Sequence, residues 1–503
     1  MKKKEQESSN NRRSRPLTPE EEYLRREKAK AENNKEKNRP IIVITYMMIT
    51  LYMCLMAYVI YFMQFKAETV IANTRNVRQD SFAESVERGN IVTSDGEVIA
   101  YSDTDEDGNT TRHYPYARMF SHLVGYDGYG RAGLELSANF YMLRSHVNIF
   151  ERVYNELAEN KNRGDTVVTT VNYKLQSAAY EALGNCNGAV IAMEPSTGKI
   201  LAMVSKPDYD ANDLDSLWDY LQSDEGSGST VLLNRATQGL YAPGSTFKIV
   251  TLLEYMKENP TSYNDYSYNC QGSDIFSSVT IHCYNSTAHG QETLADSLAY
   301  SCNSSFANIG TTLNYAGYRA TADSLLFNTE LPYDGEYNQS SFEIDADSDE
   351  SELPQTVIGQ GNTRITPLHN CLIVSAIANG GVLMKPYLID RIENADGAKI
   401  KSFSAKTYGA LMTSAEAANL TEYMKTVCDY GTAANIMGGA SYDVAGKTGT
   451  AEYDNEGNSN SWFIGFTNPD DPDIAISVVV EDYSTYGVSA TTVAKKVFDA
   501  YYN

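Results

Sequence analysis

Ser245 and Lys248 stand three residues apart in the stretch YAPGSTFKIVTLLEYMKEN. A helix brings positions i and i+3 to one face, so the hydroxyl and the amine would lie side by side. Pro243 and Gly244 punctuate the chain just before them, and a helix is expected to begin near Ser245. Its residues Phe247, Ile249, Val250, Leu252 and Leu253 are apolar almost all round, which predicts burial. Lys248 is the only charged residue between Arg235 and Glu254. An ammonium on such a helix is costly, and burial lowers its pKa. The neutral amine can then take a proton from a neighbouring serine, which is the chemistry of a serine nucleophile for acyl transfer. Alone, the pair reads equally well as a snorkelling lysine beside a first-turn serine.

Two further groups change that reading. Ser301-Cys302-Asn303 lies in the helical stretch ETLADSLAYSCNSSFANIGTTL, and Lys447-Thr448-Gly449-Thr450 lies in SYDVAGKTGTAEY, which reads as a strand. Separately, Ser301 and Asn303 are ordinary helix-terminus residues and Lys447 an ordinary surface lysine. In this order, Ser-x-x-Lys, Ser-x-Asn and Lys-Thr-Gly form the signature of β-lactamases and penicillin-binding proteins. The contexts suit the chemistry: a helix start, a helix–loop junction and a strand that can border a cleft. Between its two polar neighbours, Cys302 is expected to face the core, because successive helical side chains diverge by about 100°.

The elements that must position these groups follow from periodicity. GAVIAMEPSTGKILAMVSKP reads as two strands around a Pro-Ser-Thr-Gly turn. SYDVAGKTGTAEY, SWFIGFTNP and DIAISVVVEDY read as a meander of three strands, and TTVAKKVFDAYYN as a closing helix. The pattern predicts an α+β fold with helices packed on an antiparallel sheet. The chain of 503 residues fits two or three domains. We assign 166–503 to the catalytic domain and 66–165 to a small pedestal module of short strands and turns.

Ile41 to Phe65 carries no charge over 25 residues. As a helix it would reach about 37 Å, longer than the ~30 Å hydrocarbon core of a bilayer. The run is too long for a signal peptide and lacks a small-residue cleavage site, so 41–65 is read as one retained transmembrane helix. Residues 1–40 carry a net charge of +5 and residues 66–503 a net −29. The basic flank places the N-terminus in the cytoplasm and the body outside. Residues 1–40 lack apolar periodicity and read as a disordered cytoplasmic tail. The acidic body excludes nucleic-acid binding, which needs a basic face.

The seven cysteines include no C-x-x-C pair, so there is no zinc-ribbon or thioredoxin signal. In an exported domain Cys270 and Cys283, 13 residues apart in a loop-like stretch, are the pair expected to form a disulfide.

The sequence resembles the monofunctional, or class B, penicillin-binding proteins, the peptidoglycan D,D-transpeptidases. ERGNIVTSDGEVIA resembles the family's Arg-Gly-x-Ile box, with Ser94-Asp95 where Arg-Asn is usual. YPYARMFSHLVGY and GLELSANFYMLR resemble the pedestal stretch that follows, and AMEPSTGKILAMVSKPDYD the first hairpin of the transpeptidase domain. IGQGNTRITPLHN, GTAANI and SWFIGF resemble later boxes. The resemblance implies that Ser245 attacks the D-Ala-D-Ala carbonyl of a stem peptide and that Lys248 takes the hydroxyl proton. It implies that Ser301 relays the proton to the leaving D-alanine, that Asn303 holds the peptide amide and that Lys447 tunes the field around Ser301. Thr448 and Thr450, with Gly449 between them, would bind the substrate carboxylate. The backbone N–H groups of Ser245 and Thr450 would form the oxyanion hole. No metal or cofactor is needed for this chemistry. Implied partners are donor and acceptor stem peptides, β-lactam antibiotics and a membrane glycan polymerase. The alternative is a β-lactam sensor or a non-catalytic scaffold of the wall-building machinery. Forty polar residues without a core weigh against a cytoplasmic signalling domain.

Overall fold

The runs Gly188–Met193 and Ile200–Lys206 are apolar at nearly every position, so each must be covered on both faces. In the computed structural model, which describes residues 15–66, 85–105, 108–158, 160–453 and 458–503, they form a hairpin in a five-stranded sheet. The spatial order is Val444–Glu452, Ser459–Thr467, Ala475–Val480, Gly188–Met193, Ile200–Lys206, antiparallel throughout. The expected hairpin and the expected meander are therefore one sheet, joined where Ala475–Val480 pairs with Gly188–Met193. Helices Tyr173–Leu183 and Ala490–Tyr502 pack together on one face. Pro367–Ala378 and Ser414–Asp429 cover the other. This is the expected α+β architecture, and it leaves Val444–Glu452 as an edge strand with every second backbone N–H free of ladder bonds.

A second, six-stranded sheet holds the N-terminal part of the body. Its order is Lys399–Ser402, Ile389–Glu393, Thr166–Thr169, Ile91–Val92, Val98–Thr104, Thr110–His113. Two of its strands come from far along the chain, beyond the expected pedestal. Beside it Glu135, fully buried, lies between Arg88 (2.5 Å) and Arg112 (2.8 Å). Burial alone would raise the carboxyl's pKa, but Arg112 and Arg88 outweigh it and hold it below the ordinary range. Breaking such a buried pair costs about 3–5 kcal/mol, which gives Arg88 of the Arg-Gly box a structural role.

Pro19–Phe65 is one helix. The expectation of a disordered tail over 1–40 is corrected from residue 19 onward. Thr18 accepts from the Glu21 N–H while the Glu21 side chain accepts from the Thr18 N–H, and Pro19 occupies the first turn. This capping box starts a helix of mostly strong helix formers. The helix is long and apolar enough to cross a membrane. Residues 1–14 of the expected tail and 67–84 of the expected pedestal lie outside the described residues.

Candidate active site

Ser245 sits in a 3-10 turn, Gly244–Phe247, that runs directly into the α-helix Lys248–Glu258. Two glycines make this turn possible. Gly244 has φ +53°, and a Cβ on it would lie 2.6 Å from the Thr450 carbonyl oxygen. Gly359 has φ +78°, and a Cβ there would lie 1.9 Å from the Gly244 carbonyl oxygen. The Gly244 N–H donates to the Gly359 carbonyl at 2.9 Å. The Ser245 turn is thus clasped between the Lys-Thr-Gly strand and the Gly359 segment. One turn further on, the Thr251 hydroxyl donates to the Val357 carbonyl (2.8 Å). Sequence reasoning placed Gly359 in a resembling box but gave it no role; the Gly-Gln-Gly spacing was the available signal.

The second group is split by a turn. Helix Leu294–Ala299 ends and helix Asn303–Gly310 begins after three intervening residues, within the stretch read as helical. The Ser301 N–H bonds to the Leu298 carbonyl and the Cys302 N–H to the Ser297 carbonyl. This is a Schellman cap, whose left-handed position is usually glycine. Here it is Ser301, at φ +57°. A left-handed L-residue costs roughly 1–2 kcal/mol, so the turn holds Ser301 against its preference. Cys302 then caps the next helix, its sulfur accepting from the Ser305 N–H. Cys302 is fully buried, as expected.

The structure brings both lysines to Ser301. Lys248 Nζ donates to the Ser301 carbonyl (2.7 Å), Ser301 Oγ (3.2 Å) and Asn303 Oδ1 (2.7 Å). Lys447 Nζ donates to Ser301 Oγ (3.0 Å) and the Thr448 carbonyl (2.9 Å). Both side chains are fully buried. Burial pushes the Lys248 pKa down to about 8, against opposing contributions from Cys302, Cys283 and Glu292. Burial and then the nearby Lys248 charge push Lys447 well below its ordinary value. Two ammonium groups flanking one hydroxyl disfavour each other, so losing one proton from this group is easy.

Thr448 is half-buried and Thr450 exposed, with Gly449 buried between them. A Cβ on Gly449 would meet the Thr246 N at 3.3 Å and the Trp462 Cβ at 3.0 Å, so the strand lies flat against the Ser245 turn. The Thr448 hydroxyl shares a hydrogen bond with that of Thr432, from the GTAANI stretch (2.5 Å). Ser245 is half-buried beside them. The eight residues singled out in the sequence therefore belong to three adjoining elements.

A supporting network went unrecognised in the sequence. Glu481 accepts from Arg235 Nε (2.8 Å) and from the Tyr241 hydroxyl (2.7 Å). Trp462 donates to the Ala242 carbonyl (3.2 Å), and its ring meets Tyr241 edge-on. These contacts fix the chain entering the Ser245 turn to the central sheet. Arg235 and Glu481 lie 246 residues apart, so no local pattern linked them.

Residues 188–500 match the penicillin binding protein transpeptidase domain, and residues 88–167 match the penicillin binding protein A dimerisation domain. The chain belongs to the penicillin-binding protein transpeptidase family. It is 30% identical to the peptidoglycan D,D-transpeptidase PbpA of Mycolicibacterium smegmatis, over 83% of this chain and 88% of that protein. Among solved structures, it is similar to the D,D-transpeptidase domain of a peptidoglycan glycosyltransferase from Eggerthella lenta (31% identity, TM-score 0.74, covering 83% of this chain and 98% of that one). It is also similar to the imipenem acyl-enzyme of penicillin-binding protein A from M. tuberculosis (27% identity, TM-score 0.73, covering 84% and 100%).

Proposed function

We propose that this chain is a peptidoglycan D,D-transpeptidase that works through an acyl-enzyme on Ser245 and is acylated there by β-lactams. The observation that carries the assignment is the meeting of Lys248 and Lys447 on Ser301 Oγ, next to the turn that bears Ser245. Neutral Lys248 takes the Ser245 proton as Oγ attacks the D-Ala-D-Ala carbonyl. The oxyanion is met by the N–H groups of Ser245 and Thr450; such donors contribute about 3–4 kcal/mol each. Ser301, bonded to both lysines, delivers a proton to the departing D-alanine amine. Asn303 orients the peptide amide, and Thr448 and Thr450 hold the terminal carboxylate near Lys447. An amine from a second stem peptide then takes the acyl group, and the same relay runs backwards.

The N-terminal helix anchors the chain in the membrane, its basic end in the cytoplasm and its acidic body outside. A membrane glycan polymerase supplies the strands to be joined. The test uses the full chain with such a polymerase and a lipid-linked precursor. Mass spectrometry is expected to find stem-peptide dimers with loss of one D-alanine. Penicillin labelling without any dimer would favour the sensor reading. In wall-stripped cells, added protease should destroy the body and spare the tail; digestion of the tail alone would reverse the orientation.

The strained turn gives a separable prediction. Ser301→Gly places the preferred residue at the left-handed position, a gain of about 1 kcal/mol, but takes an acceptor from two buried lysines, so the two effects offset and stability should change little. The relay hydroxyl is lost, so β-lactam acylation should fall by about 10²-fold or more. Thermal unfolding and acylation rate, measured on one preparation, check both. A variant that acylates normally contradicts the role given to Ser301.

A further inference from the structure

The expected disulfide between Cys270 and Cys283 is not formed. Both are free thiols, with sulfurs 3.6 Å apart, in contact rather than bonded. The physical reason lies in what surrounds them. Cys302 Sγ lies 3.7 Å from Cys283 Sγ, and His289 Nδ1 lies 3.5 Å from Cys270 Sγ. All four ligand atoms fall within 4.8 Å of one another. The three cysteines are at most 3% exposed and form a cluster separate from the main core.

From these four side chains we infer a structural metal site, a Cys3His centre for zinc directly behind the Ser301-x-Asn303 turn. A tetrahedral ion with Zn–S bonds of ~2.3 Å and a Zn–N bond of ~2.0 Å sets its ligand atoms about 3.7 Å (S to S) and about 3.5 Å (S to N) apart. Three of the six separations are 3.6, 3.7 and 3.5 Å, and all six lie within 4.8 Å. Soft thiolates with one imidazole select zinc over hard cations. Four protein ligands close the coordination sphere, as in structural sites. The thiols ionise on binding and release their protons to solvent.

Glu292 borders the four ligands. It is 1% exposed, beside the Cys302 thiol, and its carboxylate lies 3.8 Å from His289 Nδ1. Neither carboxylate oxygen has a hydrogen-bond partner of good geometry.

The spacing explains why sequence reading missed the site. The ligands run Cys-x12-Cys-x5-His-x12-Cys, without the short pair that marks a zinc ribbon. The fold supplies the convergence. Cys270 ends strand Ser267–Cys270, opposite Gly290, the residue after His289. Cys283 follows strand Val279–His282. Cys302 is the middle residue of the catalytic turn. Asn303 Nδ2 donates to the carbonyl of His282, next to Cys283 (2.9 Å). The ion would rivet the 267–293 segment to the turn that presents Ser301 and Asn303, adding a fixed support beneath the relay. It would hold the machinery in place without taking part in acyl transfer.

The test is metal content, which does not depend on the transpeptidase assignment. The full-length chain, purified in detergent under reducing conditions without chelator, is expected to carry one zinc per polypeptide. Cobalt(II) exchanged into the wild-type chain should give intense tetrahedral ligand-field bands and thiolate-to-cobalt charge transfer. The Cys270→Ser/Cys283→Ser variant should lose at least tenfold in zinc content, whereas Cys186→Ser should keep it. Chelation of the wild-type chain should lower its Tm and expose thiols to alkylation. A metal-free wild-type chain, weak octahedral cobalt bands, or a Cys270–Cys283 disulfide in peptide maps of native protein would each overturn the site. So would full zinc retention by the double variant. The wild-type measurements decide the matter even if the variant fails to fold.

Discussion

A Lys248→Met chain is expected to be acylated by a labelled penicillin about 10²–10⁴-fold more slowly than the wild type, the usual contribution of a positioned general base. Methionine keeps most of the side-chain volume in a fully buried slot. It removes the amine that bonds to the Ser301 carbonyl, Ser301 Oγ and Asn303 Oδ1. The fold should survive, because a buried ammonium is itself costly and its loss offsets part of the lost hydrogen bonding. The pH dependence separates this role from mere packing. Burial lowers the Lys248 pKa to about 8, and only the neutral amine can accept the Ser245 proton. Wild-type acylation should therefore rise as pH increases through about 8 and level off above it. Below that range the ammonium dominates and the rate falls with falling pH. In Lys248→Met that slope should vanish. A variant within a few-fold of the wild-type rate, or one that keeps the slope, would show that another group is the base.

Much of this site was legible in the sequence because its chemistry is carried by residue types at short spacing. Ser245 with Lys248, Ser301 with Asn303, and Lys447 through Thr450 each sit within one turn or strand. Their mutual approach was an expectation from order and resemblance, and the hydrogen bonds of Lys248 and Lys447 to Ser301 Oγ supply the geometry. The sheet was legible in halves: alternation and apolar runs gave the hairpin and the meander, but not their pairing through Ala475–Val480. Long-range partners leave no local trace, which is why Ile389–Glu393 and Lys399–Ser402 were not foreseen beside the pedestal strands.

The misreadings have equally local causes. The tail was read from its polarity, and the Thr18–Glu21 capping box was overlooked. Charged helix formers such as Glu, Lys and Arg are helix-compatible even where no apolar stripe exists. Ser301 carried no signal of a left-handed turn, because that position normally announces itself with glycine. The disulfide was inferred from a pair of thiols; the third thiol and the imidazole arrive from 19 residues beyond Cys283 and 19 beyond Cys270. The support beneath the Ser245 turn, from Gly359 and from the Arg235–Glu481–Tyr241 network, depends on backbone approach and distant pairing. Neither is written in any short window of sequence.

The central claim is that Ser245 is the nucleophile, and its most direct test is the mass-mapped adduct. In a β-lactam the ring carbonyl stands in for the D-Ala-D-Ala carbonyl and the ring nitrogen for the departing amine. That nitrogen stays tethered after the ring opens, so the acyl-enzyme should persist long enough to isolate. The full chain, incubated with penicillin and digested, should show one adduct per polypeptide, on the peptide containing Ser245. Ser245→Ala should show none while retaining the wild-type Tm, since a half-buried hydroxyl at this turn contributes little to the core. An adduct on another serine, or undiminished labelling of Ser245→Ala, would contradict the account.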